Sequence, residues 1–213
     1  MIDLYNFIQA LNDASSAKDI INPSASGMHA NAILQTWKVK KGQRFCTNFV
    51  LGEMGAGLPH SIGAALATGR RVLHVEGDGG FQLNIQELET IRRLNLPIIM
   101  FIINNNGYGS IRQMQEKHFG RLTGADDTSG FTMPSLREIA GAYNIDYSII
   151  EDVFCIEHYV PDEDCQFYHS VTLDTMETPC IVEVFGNPNQ QYRHRVQSKM
   201  VNGQMTSGRL EDV

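Results

Sequence analysis

Asp78 and the pair Asn104-Asn105 offer the oxygen atoms from which a divalent-cation site can be built. A carboxylate, a side-chain amide and a backbone carbonyl are hard ligands of the kind Mg²⁺ prefers, and Mg²⁺ completes a small protein set with phosphate and water. Gly77, Gly79 and Gly80 flank the aspartate and leave room for a phosphate group against the backbone. The N–H groups of Gly79, Gly80 and Phe81 could donate to that anion where a helix begins. These residue types point to metal–phosphate chemistry, provided that the chain brings the two clusters together.

The intervening elements can do so. Arg71-Val72-Leu73-His74-Val75-Glu76 is a largely apolar, β-rich run that stops at Gly77-Asp78-Gly79-Gly80, which predicts a strand and then a turn. From Leu83 onward Ile85, Leu88, Ile91 and Leu94 recur every three residues among Glu87, Glu89, Arg92 and Arg93, which predicts one helix buried on a single face. Pro97 closes that helix, and Ile98–Ile103 follows as a continuous apolar run of the type found in a parallel strand covered on both sides. A strand–helix–strand unit has a right-handed crossover, so the carboxyl ends of both strands share one edge of the sheet. Asp78 and Asn105 are therefore expected to meet there.

Elsewhere the pattern predicts a helix near Leu4–Asn12, an irregular Ser/Ala/Gly stretch through His29, a helix over Ala30–Trp37 and a strand over Arg44–Phe49. Helices near Leu58–Thr68 and Ser110–His118, and another opened by Pro134, keep the α/β alternation, with strands at Tyr147–Ile150 and Cys180–Phe185. The expected fold class is α/β, a three-layer sandwich around a mainly parallel sheet, with a domain over residues 1–186. The stretch 151–178 is acidic and carries no clear period. From residue 187 to 213 the chain turns polar and reads as an extended arm that needs a partner surface to order it.

The segment GDGGFQLNIQELETIRRLNLPIIMFIINNNGYG resembles the thiamine-diphosphate signature of the acetolactate synthase and pyruvate decarboxylase family, which opens with GDG and closes with NN. The resemblance implies a thiamine-diphosphate-binding fold in which Asp78, Asn105 and the Gly107 carbonyl hold Mg²⁺ on the cofactor's diphosphate. Upstream, LGEMGAGLP at 51–59 resembles the family's glycine-rich segment. By that resemblance Met54 is the apolar wedge that bends the cofactor, and the Gly52 carbonyl accepts from its amino group. A flexible thioether suits the contact. Further similar segments at 119–124 and 133–136 extend the resemblance over most of the chain.

The resemblance also implies a partner. In this family the glutamate that engages the cofactor's pyrimidine ring lies in a separate pyrimidine-binding domain, usually of another chain, and the sequence begins about where a diphosphate-binding domain would begin. Half of the active site is expected to come from elsewhere, and no residue of this chain is assigned as catalytic. Glu53, beside the wedge, is judged to face the wrong side. The implied activity is decarboxylation of a 2-oxo acid such as pyruvate and transfer of a two-carbon unit to a carbonyl acceptor. A simple decarboxylase subunit and a noncatalytic cofactor-binding or assembly module remain open. Acetolactate synthases usually carry Trp where Met114 stands, next to Ile111 on the expected substrate side, so the acceptor is open too. The wider sequence looks more like the acetolactate-synthase-like proteins of bacterial sugar-modification clusters than the amino-acid pathway enzyme.

Composition narrows the classes. The 213 residues are 42% hydrophobic, enough for one sizeable core, and a net charge of −7 without a Lys/Arg run argues against a nucleic-acid surface. No apolar stretch approaches a membrane span and the first residues lack a signal-like core, so a cytoplasmic address is expected. Self-association into an oligomer is expected through an apolar patch of Met54, Leu58, Ile111 and Met114 at the rim of the site. Cys46, Cys155, Cys165 and Cys180 show no metal-ligand spacing. His29, His60 and His74 are read as structural, and Arg193, His194, Arg195 and Lys199 as a solvated basic patch.

Overall fold

A computed structural model describes residues 1–151, 173, 176, 178–193, 199–202 and 204–206. Helix α1 (Leu4–Ala14) starts where the Asp3 carboxylate accepts from the Asn6 N–H at 3.0 Å. Strand β1 (Ile20–Asn22) leads into α2 (Met28–Thr36), and β2 (Arg44–Phe45) precedes α3 (Gly57–Thr68). Then come β3 (Val72–Gly77), the single turn α4 (Asp78–Phe81), α5 (Glu87–Arg93), β4 (Ile98–Asn104), α6 (Gly109–Phe119), α7 (Leu136–Tyr143), β5 (Asp146–Ile150) and β6 (Cys180–Phe185). The six strands form one sheet in the order β2-β1-β3-β4-β6-β5, every pair parallel. This is the expected α/β sandwich.

Side-chain alternation along β4 divides the core into two halves. Ile99, Phe101 and Ile103 pack with α1 and α2 on one face, among Phe7, Ile8, Leu11 and Ile33. Ile98, Met100 and Ile102 meet α3, α5 and α7 on the other, among Leu58, Ile62, Leu88, Ile91 and Ala140. A strand buried on both faces needs apolar residues at every position, which is why 98–103 carries no alternation.

Several sequence expectations need correction. The stretch through His29 was expected to be irregular, yet Ile20–Asn22 is a strand inside the sheet, paired with β2 on one side and β3 on the other. Three residues make a weak sequence signal, and two parallel neighbours supply the stability. Helix α2 accordingly begins at Met28 rather than Ala30. The expected strand Arg44–Phe49 ends at Phe45, after which the Thr47 hydroxyl turns to the Ser24 carbonyl.

The single helix expected from Leu83 instead starts at Asp78, passes through a 3₁₀ turn at Gln82–Asn84 and resumes at Glu87. The backbone stays helical through Ile85 and Gln86, but the Leu88 and Glu89 N–H groups reach only three residues back. Asn84, at the break, donates from its side chain to the Gly55 carbonyl at 2.8 Å. Of the expected apolar face, Leu88 and Ile91 are fully buried while Leu94 is 39% exposed.

The stretch 151–178 lies largely outside the described residues, as do Cys155, Cys165, His194 and Arg195. Residues 187–193 pack against this chain itself. The Leu4 N–H donates to Gln190 Oε1 at 3.1 Å, and Tyr192 and Ser110 share a hydroxyl contact of 2.7 Å. Arg193 lies 4.7 Å over the Tyr5 ring and pairs with Asp3 at 2.9 Å, so it is held rather than free in solvent. Farther on, β7 (Lys199–Val201) and β8 (Gln204–Thr206) form an antiparallel hairpin.

The split helix yields a stability test. Leu88→Ala removes a fully buried side chain and is expected to lower unfolding free energy by about 2–5 kcal/mol. Leu94→Ala should stay within roughly 0.5 kcal/mol, as for an ordinary surface change. Urea denaturation of both variants checks this; equal losses would contradict the observed face.

Candidate functional site

Strand order locates the site. The chain leaves β1 outward to β2 and returns to β3, from which it winds the opposite way to β4, so the winding direction changes between β1 and β3. Open α/β sheets bind ligands beyond the carboxyl ends of the strands at such a switch point. A cavity of about 220 Å³ opens at this edge. One wall is Ser26 to His29 after β1, and another is Gly52 and Met54 before α3; Glu76 to Gly80 form a third. Asn105 and residues 107–111 after β4 complete it.

The two sequence clusters do meet. Asp78 Oδ2 accepts the Gly107 N–H at 2.9 Å, and Oδ1 accepts the Gly79 N–H at 2.8 Å. The latter donor, expected to face a phosphate, is thus taken by Asp78 itself. Asp78 is 1% exposed, and burial pushes its pKa up to about 6, against the pull of the Gly107, Gly79 and Asn105 N–H groups and the Arg112 charge. A buried carboxylate so poorly compensated is suited to a cation.

The two asparagines divide their work. Asn104 turns away from the cavity, donating to Glu183 Oε1 at 2.5 Å and accepting the Asn106 N–H at 3.2 Å, so it shapes the turn. Asn105 lines the cavity, and its side-chain amide makes no hydrogen bond among the described residues. Gly107 has φ +127°, and a Cβ there would lie 2.3 Å from the Ala125 carbonyl oxygen. Only glycine fits that close approach. The Gly107 carbonyl accepts from Gly109 at 3.0 Å and keeps a second lone pair. Asp78, Asn105 and Gly107 thus bring together a carboxylate, an amide and a carbonyl, a donor set that fits Mg²⁺. Among the described residues no group of three His, Cys, Asp or Glu side chains offers a rival site.

Of the other sequence candidates, Gly52, Met54, Gly79, Gly80 and Ile111 also line the cavity, with Met54 at 37% exposure. Phe81 and Met114 do not. The Phe81 side chain is fully buried against α3 and α5, so only its backbone belongs near the site. Met114 is half-buried nearly a helical turn beyond Ile111, off the cavity wall. Glu53 is also off the wall, accepting from Asn48 at 3.0 Å.

His29, expected to be structural, is also part of the cavity wall, its Nε2 buried and without a hydrogen-bond partner among the described residues. Burial pushes its pKa down to about 4; Glu76 opposes that shift and His74 adds to it. The missed strand β1 hid this residue, because only a strand ending at Asn22 delivers the next turn to the site.

A second layer lies beneath the glycines. Asn22 donates to Ser61 Oγ at 2.8 Å, Ser61 contacts His74 Nδ1 at 3.2 Å, and His74 Nε2 lies 3.1 Å from Glu76 Oε2. Ser24 donates to the other Glu76 oxygen at 2.9 Å. Burial alone would raise the Glu76 carboxyl, but the hydrogen bonds and charge around it hold it below its ordinary value. His74 is structural, as expected.

Comparison with known proteins agrees with this geometry. The family model of the thiamine pyrophosphate enzyme C-terminal TPP-binding domain matches residues 25–161. The chain is 40% identical over 124 residues to acetolactate synthase 2, chloroplastic, of Brassica napus, covering 58% of this chain and 19% of that protein. It is 38% identical over 131 residues to the acetolactate synthase large subunit of Porphyra purpurea, covering 61% of this chain and 22% of the relative. The chain therefore spans about a fifth of the length of these relatives.

Buried, neutral His29 has a consequence for stability. Its folded pKa is depressed from 6.5 to about 4, so the stability it contributes is present above the unfolded value and is lost as pH falls through the folded one. Unfolding free energy should drop by up to roughly 3 kcal/mol across that window. His29→Asn should flatten this limb. Urea titrations from pH 7 to 4 check it; an unchanged acid limb in the variant would contradict the assignment.

Proposed function

This chain belongs to the thiamine pyrophosphate enzyme family, whose C-terminal TPP-binding domain it carries, and on that premise we propose that it holds Mg²⁺–thiamine diphosphate as one side of an acetolactate synthase-like active site. The observation that carries this reading is the meeting of Asp78, Asn105 and Gly107 at the cavity edge, fixed by the hydrogen bond from Gly107 to Asp78. When bound, the cofactor supplies the carbon nucleophile for decarboxylating a 2-oxo acid such as pyruvate and passing a two-carbon unit to a carbonyl acceptor.

The residues of this chain bind and orient. Asp78 contributes the negative charge, while Asn105 and the Gly107 carbonyl complete the protein share of the cation's ligands. Held by two backbone N–H groups, the carboxylate is fixed in position before the cation arrives. His29, in the Nε2–H tautomer, has a free donor for a phosphate oxygen. Met54, Gly52 and Ile111 also line the cavity; in this reading Met54 and the Gly52 carbonyl would hold the organic end of the cofactor, and Ile111 would meet the substrate.

A pyrimidine-binding domain or subunit completes the site in this reading. The cavity of about 220 Å³ is smaller than the roughly 300–1,000 Å³ of pockets that enclose a ligand of that size. Val50 (93% exposed), Leu51 (77%) and Met54 form an apolar rim beside it, of the sort that marks an interaction surface. A second copy of this chain is a further candidate for that rim.

Two outcomes are expected. Asp78→Ala should weaken Mg²⁺-dependent thiamine diphosphate binding by about 100-fold or more, read by calorimetry as a loss near 2.7 kcal/mol; unchanged affinity would remove the metal assignment. Purified alone, the chain should form no acetolactate or acetoin from pyruvate with cofactor and Mg²⁺ present. Sustained turnover by the single chain would overturn the shared active site.

A further inference from the structure

Arg112 lies four residues into α6, 7% exposed, on the side away from solvent. Its guanidinium serves three separate pieces of chain. Nη2 donates to the Asn105 carbonyl at 3.1 Å and to the Pro188 carbonyl at 3.0 Å, and Nη1 meets Asp126 Oδ2 at 3.3 Å. A planar fork can hold several acceptors in fixed relative positions, which an ammonium group cannot.

Each acceptor belongs to a different support of the cation-binding turn. Asn105 is in the turn, where Asn106 and Gly107 both have positive φ, a conformation that asparagine and glycine tolerate. Asp126 is anchored by the hydroxyls of Thr128 and Ser129, both at 2.8 Å, and the adjacent Ala125 carbonyl accepts the Tyr108 N–H at 2.8 Å. That same carbonyl blocks any side chain at position 107. Pro188 opens the strap of residues 187–193, whose Gln190 carbonyl accepts from Gln113 and whose Tyr192 meets Ser110.

We propose that Arg112 is a positioning residue that locks the Asn105–Gly107 turn, the 125–126 loop and the 187–193 strap into one unit, so that the cation-binding geometry forms only with the strap docked. This rests on the reading of Asp78, Asn105 and Gly107 as cation ligands. Arg112 is not among the residues that line the cavity. It acts by fixing the carbonyl of Asn105 and, through Asp126, the wall behind Gly107. Because the strap binds the same guanidinium, strap docking and cation binding favour each other reciprocally.

The test uses the full chain and two readouts. Amide exchange of the protein without ligand should show faster exchange at residues 107, 108, 187, 189 and 190 in Arg112→Met, with Arg112→Lys in between. Calorimetry with Mg²⁺ at saturating thiamine diphosphate should show affinity falling at least tenfold in Arg112→Met. A variant carrying Gln113→Ala and Tyr192→Phe, which loosens the strap and leaves the guanidinium intact, should weaken Mg²⁺ in the same direction. A purely structural Arg112 would lower the melting temperature while leaving the increment produced by Mg²⁺ and cofactor unchanged, and that result overturns the proposal. Mg²⁺ affinity unaffected by strap loosening overturns the coupling. Absence of cofactor binding by the unmutated chain refutes the site reading instead, and the exchange measurement then judges the Arg112 lock by itself.

Discussion

Everything at the site depends on the parallel pairing of β3 with β4. Its register runs from Val72↔Ile98 to Gly77↔Ile103, and the next residue on one strand is Asp78 while the next on the other is Asn104. A slip of one residue would turn the side chains to opposite faces and break the match between the carboxylate and the turn. Ile98 through Ile103 are all buried on one strand and Val72 through Val75 on the other. Once the strands are in register, the contact between Gly107 and Asp78 follows from geometry.

The floor of the cavity trades side-chain volume for polar order beneath it. A Cβ at Gly57 would stand 2.5 Å from His74 and 2.6 Å from Glu76, and one at Gly80 would stand 2.7 Å from Glu76. The glycines therefore let a buried chain of Asn22, Ser61, His74, Glu76 and Ser24 sit directly under the backbone that meets the ligand. Each of these groups has a partner, which is the condition for keeping polar atoms in a core. On the cavity side the situation is reversed. His29 Nε2 has no partner among the described residues and Asp78 is under-compensated, and both residues line the cavity.

Beyond the sheet edge the chain closes on itself. The Ile2 N–H donates to Phe185, the Asn187 N–H to Ile2, and the Leu4 N–H to Gln190, which joins the beginning of α1 to the segment after β6. That segment then crosses α6. The cavity wall formed by Leu4 and Ser110 is thereby braced from behind, while the opposite rim at Val50, Leu51 and Met54 stays exposed. One side of the site is thus braced within the chain, and the opposite rim is apolar and exposed.

Much of this was legible in the sequence because the signals were strong and local. The unbroken apolar run at 98–103, the glycine cluster around Asp78 and the double asparagine are each explained by a single physical demand: burial on both faces, close backbone approach, and a turn at a strand end. Tertiary structure decided what short or ambiguous segments could not announce. Ile20–Asn22 is too brief to declare a strand and exists because β2 and β3 flank it. The helix after Asp78 kept its period but not its continuity, since periodicity reports which face is buried and not which hydrogen bonds close. The same limit explains why Asn104 and Asn105 look alike in sequence yet only Asn105 lines the cavity, why Met114 falls off the wall that Ile111 lines, and why His29 is part of that wall. A sequence determines which groups are available and how far apart they lie along the chain. Which of them share one cavity is settled by strand order and by side-chain direction, and those depend on contacts between residues distant in the chain.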